Sequence, residues 1–432
     1  MCVSFSFFVP YFCFPTASSK KIRAIRISFV TSAVISNKTH PTKMITQLVT
    51  LQEIKAAQLY IQNSDLVRRT PLLTNFIVPL STTSSSISVH LKLESLQNTG
   101  SFKIRGMTNC FRVHEDDIRK HGAVTLSAGN AGRSFAYLCG RLGVTSTVCM
   151  PNTVPKDRVK TIEALGSTVE LVPGVELMNA VHRYTAQGRI LIHPFDDKDL
   201  IAGHGSIGLE ILEDIKDLNQ DDVVAVCCGG GGLVSGVAAA IKLSGCKARV
   251  CAVEPEGSAC MTASMRLKRA AKEPEDFVTN TIAHGLAPPF AGEITYQHVV
   301  QFVDDVITVS DQELIEATKV MYDYGFVCET SGCAGVAAAM SGKLGKVKGR
   351  VVCVVSGSNI SREDLYEELL SKTEKKELLS KQFGWGYLTG CMVMAGCLII
   401  GYRKGYDDCK ENATWVRDVL SLPYNMYYYG ID

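Results

Sequence analysis

No two of the sixteen cysteines stand in a C-x-x-C spacing, so neither a zinc knuckle nor a thioredoxin-like redox pair is present to read. Cys149, Cys227, Cys228 and Cys353 lie inside apolar runs, where they read as small core residues of a protein kept in a reducing compartment. Bulk charge is also lacking. A formal net charge of +2 over 432 residues gives no field that would hold nucleic acid or an anionic membrane. Residues 1–52 contain no Asp or Glu and carry Lys20, Lys21, Arg23, Arg26, Lys38 and Lys43 among Ser, Thr and aromatics. That composition fits a mitochondrial-type transit segment, but the apolar stretch at 7–14 precedes the basic residues, and a translated leader before a start at Met44 fits equally. Residues 384–402 lack charge but hold five glycines, which leaves both a membrane anchor and an ordinary apolar tail open. The organisation expected is an N-terminal extension over 1–52, a globular body over 53–381 closed by the charged, helix-favouring segment 363–381, and a tail over 382–432.

With 46% hydrophobic residues the body can bury a large core, and a small-molecule enzyme of one or two domains is the class that remains. From about 85 to 360, apolar runs of strand length alternate with helical patterns. "SISVHLKLE" (86–94) alternates like a half-buried strand; "GAVTL", "STVCMP", "TVELVP", "VVAVCC", "RVCAVEP" and "RVVCVV" are too apolar to have a wet face, and a helix over 258–272 follows "RVCAVEP". Strands of that kind, each followed by a helix, form a parallel sheet covered on both sides. Ligands of such sheets sit beyond the carboxyl ends of the strands.

Four stretches at those positions carry chemistry. In "SLQNTGSFKIRG" (95–106) Lys103 falls in the first turn of a helix starting near Ser101, where the helix dipole would lower the amine's pKa; the alternatives are a nucleophilic lysine and a surface lysine. "CCGGGGLVSG" (227–236) runs from a strand through four glycines into a helix, a cradle of N–H groups for an anion such as phosphate, or else a flexible turn. It matches neither G-x-G-x-x-G nor the P-loop. "LSAGN" (126–130) opens the next helix with groups able to grip a carboxylate, or with a simple cap. "VVSGSN" (354–359) puts Ser356 at a strand end, facing a ring nitrogen or the backbone. A lysine, a phosphate cradle, a carboxylate grip and a hydroxyl together are what pyridoxal 5′-phosphate with an amino-acid substrate requires.

"RTPLL", "KLESLQNTGSFKIRG", "SAGNAG", "MPNTVPKDRVKTIEALGSTVELV", "HPFDD", "IAGHGSIGLEI", "CCGGGGL", "VEPEGSACMTAS", "IAHGLAPP", "VDDVITVSDQEL" and "VVSGSN" follow one another from residue 69 to about 370. In this order they resemble the fold-type II pyridoxal-phosphate enzymes, specifically the serine/threonine dehydratase (threonine ammonia-lyase) and serine racemase branch. The resemblance implies an α/β fold, tryptophan synthase β-like, with two parallel-sheet domains and flanking helices. The smaller, mobile part would be formed by about 101–192.

It further implies Lys103 as the Schiff-base lysine and Phe102 as the residue packing beside the cofactor ring. Gly229, Gly230, Gly231 and Gly232 would form the phosphate loop with Leu233 supplying the next N–H. Asn130 would bond the 3′-oxygen, and Ser356 the ring nitrogen. Gly285 would approach the cofactor by its backbone, and Glu329 would lie beside the ring. Ser127 and Asn130, with the backbone at Ala128 and Ala131, would hold the substrate carboxylate. Glu254 matches one carboxylate of a divalent-cation site found in some members, but the second acid's position is Cys260, so a surface glutamate without an ion is expected.

The activity implied is β-elimination of L-serine or L-threonine-type substrates to a 2-keto acid and ammonia. A serine racemase needs a proton donor opposite the lysine, supplied in racemases by a serine just before Gly-Asn; here that position is Ala128. A third reading is a membrane-tethered binding module without turnover. Thr among the loop glycines, typical of β-replacement relatives, is missing, and no regulatory domain is expected after residue 381. The remaining expectations are a small-molecule partner, a homo-oligomer (dimer or tetramer), and a cytoplasmic or, alternatively, mitochondrial location.

Overall fold

The computed structural model describes residues 48–81, 85–361 and 364–365. The basic extension through residue 47, nearly all of 363–381 and the apolar segment 384–402 lie outside them. Among the described residues no helix is long and apolar enough to cross a membrane.

Helix α1 (Leu51–Gln62) begins in a capping box, in which the Thr50 hydroxyl accepts from the Glu53 amide and the Glu53 carboxylate accepts from the Thr50 amide. Strands β1 (Leu72–Pro79) and β2 (Ser86–Leu93) pair antiparallel. Helices α2 (Lys103–Val113) and α3 (Glu115–His121) lead into β3 (Ala123–Leu126), α4 (Asn130–Leu142), β4 (Ser146–Pro151), α5 (Lys156–Ala164), β5 (Thr168–Val172), α6 (Leu177–Ala186) and β6 (Ile190–Leu191). Helix α7 (Lys198–Asp214) then opens a second series: β7 (Val223–Cys227), α8 (Gly232–Leu243), β8 (Arg249–Pro255), α9 (Cys260–Leu267), α10 (Glu293–Phe302), β9 (Asp305–Val309), α11 (Asp311–Asp323), α12 (Ala334–Met340) and β10 (Val351–Val355).

The strands make two sheets, a parallel one in the order β5-β4-β3-β6 and a larger one in the order β1-β2-β10-β7-β8-β9. The larger is parallel except for the β1–β2 pair. This is the α/β, fold-type II arrangement of parallel-sheet domains that the sequence led us to expect. Strands β7 and β10 are buried along their whole length, with α8 and α12 packed on β7, which is why their sequences carry no polar alternation.

The order β2-β10-β7 decides where chemistry can occur. Leu93 pairs with Val355, and Val354 pairs with Val226, so three parallel neighbours end at one edge of the sheet. The segments leaving that edge are the turn to Lys103, the Ser356 turn and the glycine loop. Residues far apart in sequence are brought together because parallel strands release their following loops on the same side.

Four details depart from the sequence reading. The carboxyl-terminal half of β2 is buried on both faces, including Lys92, because β10 lies beside it and Glu210 of α7 covers its polar face. Helix α2 starts at Lys103 with Phe102 as a cap lacking any side-chain bond, while Ser101 pairs with Gly357 in an isolated bridge. Helix α9 stops at Leu267, where Lys268 turns left-handed. Helix α7 was not foreseen, since Gly203, Gly205 and Gly208 lower its helix propensity. These glycines are needed for close packing: a Cβ on Gly203 would come within 2.6 Å of the Arg105 carbonyl, and one on Gly208 within 2.7 Å of the Val237 carbonyl.

Candidate active site

Lys103 is the first residue of α2 and is only partly exposed. Its Nζ donates to the Pro194 carbonyl at 2.6 Å and lies 5.1 Å from the centre of the Phe102 ring. Loss of water around the ammonium pushes its pKa down to about 8. Burial, rather than the helix dipole invoked from sequence, is the cause resolved. The Phe102 amide donates to the Ser356 carbonyl at 3.0 Å, which ties the lysine turn to the end of β10. Ser356 is buried, and its side chain lies near the Cys227 thiol.

The glycine loop is oriented by its own carbonyls. Thr295 Oγ1 donates to the Gly230 carbonyl at 2.7 Å and Cys260 Sγ to the Gly229 carbonyl at 3.4 Å. Since the C=O and N–H of one peptide point in opposite directions, the amides of Gly230 and Gly231 face away from those partners. Among the described residues nothing accepts from the amides of Gly229, Gly230 or Gly231, and Gly232 and Leu233 follow as the first two residues of α8. Gly231 is left-handed at φ 93°, the bend that curls successive N–H groups inward. Side chains are excluded here too: a Cβ on Gly230 would meet Phe195 at 2.4 Å, and one on Gly229 would meet the Leu286 backbone at 3.1 Å, beside Gly285. A curled row of unpaired donors at a helix N-terminus fits a phosphate.

Asn130 opens α4 after β3 of the smaller sheet. Its Nδ2 donates to Glu329 Oε1 at 2.6 Å, and its Oδ1 accepts from Asn359 Nδ2 at 2.6 Å. The Glu329 amide donates to the Gly357 carbonyl at 3.1 Å, and a Cβ on Gly357 would stand 2.2 Å from Glu329 Oε1. The Gly285 amide donates to Ser331 Oγ at 2.9 Å. Ser127 Oγ accepts from the Gly129 amide at 3.3 Å, with Ala128 partly exposed and Ala131 buried. Lys103, Phe102, Ser356, Asn130, Glu329, Gly285 and the glycine loop are thus linked through bonds and close contacts around one edge.

Glu254 is corrected by the structure: it is fully buried, at the end of β8, and not a surface residue. Its carboxylate accepts from the Met261 and Thr262 amides at 2.6 and 2.8 Å and from Thr262 Oγ1 at 2.8 Å, and burial still pushes it up to about 7. These neighbours are donors, which do not fit a divalent cation, and no cluster of metal-ligating side chains occurs among the described residues.

Sequence reading assigned no role to the residues of "HPFDD", which the fold places beside Lys103. Asp196 accepts from the Glu293, Ile294 and Thr295 amides at 2.9–3.0 Å and so caps α10, while Asp197 caps α7 through the Leu200 amide at 2.9 Å. His193 Nδ1 accepts from the Asp196 amide at 2.8 Å. Two caps therefore pin the arch that delivers the Pro194 carbonyl to Lys103. The consecutive acids ahead of "LIAGHG" are the signal that could have revealed one cap; the other reaches a helix nearly a hundred residues away.

Beneath α2 lies a buried ion network. Arg105 donates to Glu94 at 2.8 and 2.9 Å and to Glu210 at 2.7 and 2.8 Å, and Lys92 reaches Glu210 at 2.6 Å. Burial opposes the Glu210 charge, but Arg105 and Lys92 outweigh it and hold that carboxyl below its usual range.

A family model described as "Pyridoxal-phosphate dependent enzyme" matches residues 64–357. An L-threonine ammonia-lyase of Thermotoga maritima is 37% identical over 318 residues, covering 72% of this chain and 76% of that protein. A catabolic L-threonine dehydratase of Staphylococcus aureus is 34% identical, covering 74% of this chain and 91% of that one. Among solved structures, the processed form of threonine deaminase isoform 2 from Solanum lycopersicum is 29% identical with a TM-score of 0.65, covering 77% and 98% of the two chains. Maize serine racemase is 28% identical with a TM-score of 0.64, covering 77% and 99%.

Proposed function

From the premise that this chain belongs to the pyridoxal-phosphate dependent enzyme family, we infer that the edge formed by β2, β10 and β7 is where it carries out β-elimination of L-serine or L-threonine-type substrates, giving a 2-keto acid and ammonia. The observation that carries the reading is the convergence on that edge of a desolvated lysine and a row of unpaired amide donors. When bound, the cofactor supplies an electrophilic carbonyl carbon for amines and a conjugated ring that spreads the electron pair left at the substrate α-carbon.

The chain's own groups do the rest. The amides of Gly229–Gly232 and Leu233 would bind the phosphate, with Phe102 packed beside the ring and Gly285 and Glu329 flanking it. Asn130 would donate to the 3′-oxygen, and Ser356 would face the ring nitrogen. A neutral hydroxyl there does not hold that nitrogen protonated as a carboxylate would. Ser127, Asn130 and the Ala128 and Ala131 amides would hold the substrate carboxylate. Lys103 Nζ would hold the cofactor in the resting enzyme and, released as a neutral amine, take the proton from the substrate α-carbon. The β-hydroxyl would then leave as water, its added proton balanced by the α-proton that Lys103 has taken, and addition of water to the freed enamine would give the 2-keto acid and ammonia. A homo-oligomer and a cytoplasmic or mitochondrial location belong to the same proposal, the location supported by the use of cysteines as core residues.

The test is an amino-acid panel with purified holoenzyme, following keto-acid release and substrate chirality together. Keto acid from L-serine or L-threonine is expected; its absence across all β-hydroxy amino acids would reject the assignment. Gly230→Val should weaken cofactor binding at least about tenfold, about 1.4 kcal/mol, by displacing Phe195 into the cradle and blocking amide approach. Unchanged affinity in a fluorescence titration would reduce the loop to a turn.

Ala128 separates elimination from racemisation. With no proton donor opposite Lys103, L-serine should yield pyruvate and little D-serine. Ala128→Ser should add a detectable D-serine product, a partial gain because a useful donor also needs supporting hydrogen bonds. Efficient D-serine formation by the unmodified enzyme, measured by chiral chromatography, would make it a racemase.

A further inference from the structure

Asn130 and Asn359 form a directed chain between two acceptors. At one end Asn359 Nδ2 donates to the Thr99 carbonyl at 2.8 Å; at the other Asn130 Nδ2 donates to Glu329 Oε1 at 2.6 Å. A carbonyl only accepts, which fixes Nδ2 of Asn359 at the Thr99 end. The two side-chain amides between them must therefore run head to tail, with the second Nδ2 hydrogen of Asn359 given to Asn130 Oδ1 at 2.6 Å. In this state both Nδ2 hydrogens of Asn359 are used. The second Nδ2 hydrogen of Asn130 has no partner among the described residues. The reversed amide would set Asn130 Oδ1 against the Glu329 carboxylate and Nδ2 against Nδ2 of Asn359.

We propose that Asn359 is a positioning residue that orients the Asn130 amide so that its spare N–H, and not its oxygen, points at the cofactor's 3′-oxygen. The inference rests on the reading of Asn130 given above. Asn359 touches the Thr99–Gly100 turn, where a Cβ on Gly100 would meet its Oδ1 at 2.4 Å, and it stands three residues beyond Ser356. One side chain thus couples the turn before Lys103, the end of β10 and the start of α4. The donated N–H stabilises the deprotonated ring oxygen, so the effect of Asn359 should be visible in the protonation of the bound cofactor as well as in rate.

The experiment compares holoenzyme of Asn359→Asp, Asn359→Ala and Asn130→Ala with the unmodified protein. Absorbance of the bound cofactor is titrated against pH, kcat and KM are measured with L-serine and L-threonine, and thermal midpoints are recorded. Asn359→Asp keeps the shape but replaces the donor by an acceptor facing Asn130 Oδ1. It should shift the titration in the direction that Asn130→Ala does, and lower kcat about tenfold with KM changed less than about threefold, the loss of one hydrogen bond to a charged group. Asn359→Ala should shift the titration in the same direction by less, because Glu329 still holds one end of the Asn130 amide. A loaded Asn359→Asp protein with the unmodified titration curve overturns the proposal whatever its kcat. So does an Asn359 variant in which cofactor loading and thermal midpoint fall together while Asn130→Ala titrates normally. If the variants show these titration shifts while the unmodified holoenzyme turns over no hydroxy amino acid, the functional reading is rejected and the positioning role stands.

Discussion

Lys103→Ala abolishes both turnover and the borohydride-reducible link between protein and cofactor. Two roles fall on one atom, since Nζ would hold the cofactor covalently in the resting enzyme and take the substrate proton once released. Loss of a general base alone costs about 10²–10⁴ in rate, and loss of the nucleophile adds to it. The substitution leaves the phosphate cradle and Asn130 in place, so cofactor should still associate, reversibly and without the visible absorbance of the linked form. The unmodified protein adds a pH signature. Burial lowers the amine to about 8; below that pH Nζ is protonated and cannot attack, so capture of added cofactor should accelerate as pH rises through about 8 and then level off. Stopped-flow absorbance checks this. Retention of a reducible adduct in Lys103→Ala would remove Lys103 from the role.

Glu210→Ala costs about 3–5 kcal/mol of folding stability, because it strands Arg105 and Lys92, both fully buried, without one of their carboxylates. Among the described residues Lys92 keeps only the Thr70 carbonyl at 2.7 Å and Asp214 at 3.7 Å, and Arg105 keeps Glu94, Ser206 and the Arg68 carbonyl. The damage reaches the site, since Arg105 stands two residues after Lys103 on α2. Arg69→Ala is the control. Its partners Glu213 and Asp214 lie on the same helix as Glu210 but that pair is solvent-exposed, and it should cost less than about 1 kcal/mol. Urea unfolding of both variants decides the matter. Equal shifts would mean that the buried network contributes no more than a surface pair.

Much of the architecture could be read in advance because apolar runs and turn residues are local signals. Strands β3, β4, β7, β8 and β10 fall where apolar runs predict, and α4, α5, α6 and α8 follow where helical patterns resume after small residues. Strand β5 falls there too but, as an edge strand, leaves Thr168 and Leu171 exposed against the expectation of a dry strand. Local signals failed where a partner supplied the reason. Lys92 alternates like a solvent-facing residue and is buried because Glu210 comes to meet it. Glu254 looks like a surface acid and is buried because the first turn of α9 brings three hydrogen-bond donors over it. The glycines of α7 argue against a helix until α2 and α8 are seen to press against it.

Sequence alone determined where the chemistry-bearing groups stand relative to the strands and helices that follow one another along the chain. A lysine after a strand, four glycines before a helix, and a hydroxyl after an apolar run are short motifs whose placement is legible in covalent spacing. Their assembly was decided only by tertiary structure. Lys103, Gly230 and Ser356 converge because β2, β10 and β7 are parallel neighbours, and strand order depends on how crossovers pack, which no local pattern encodes. The same holds for the Pro194 carbonyl, the caps of Asp196 and Asp197, and the Asn359–Asn130–Glu329 chain. Each joins groups distant in sequence whose mutual orientation is set by hydrogen-bond geometry, a property that exists only once the backbone has brought donor and acceptor within about 3 Å.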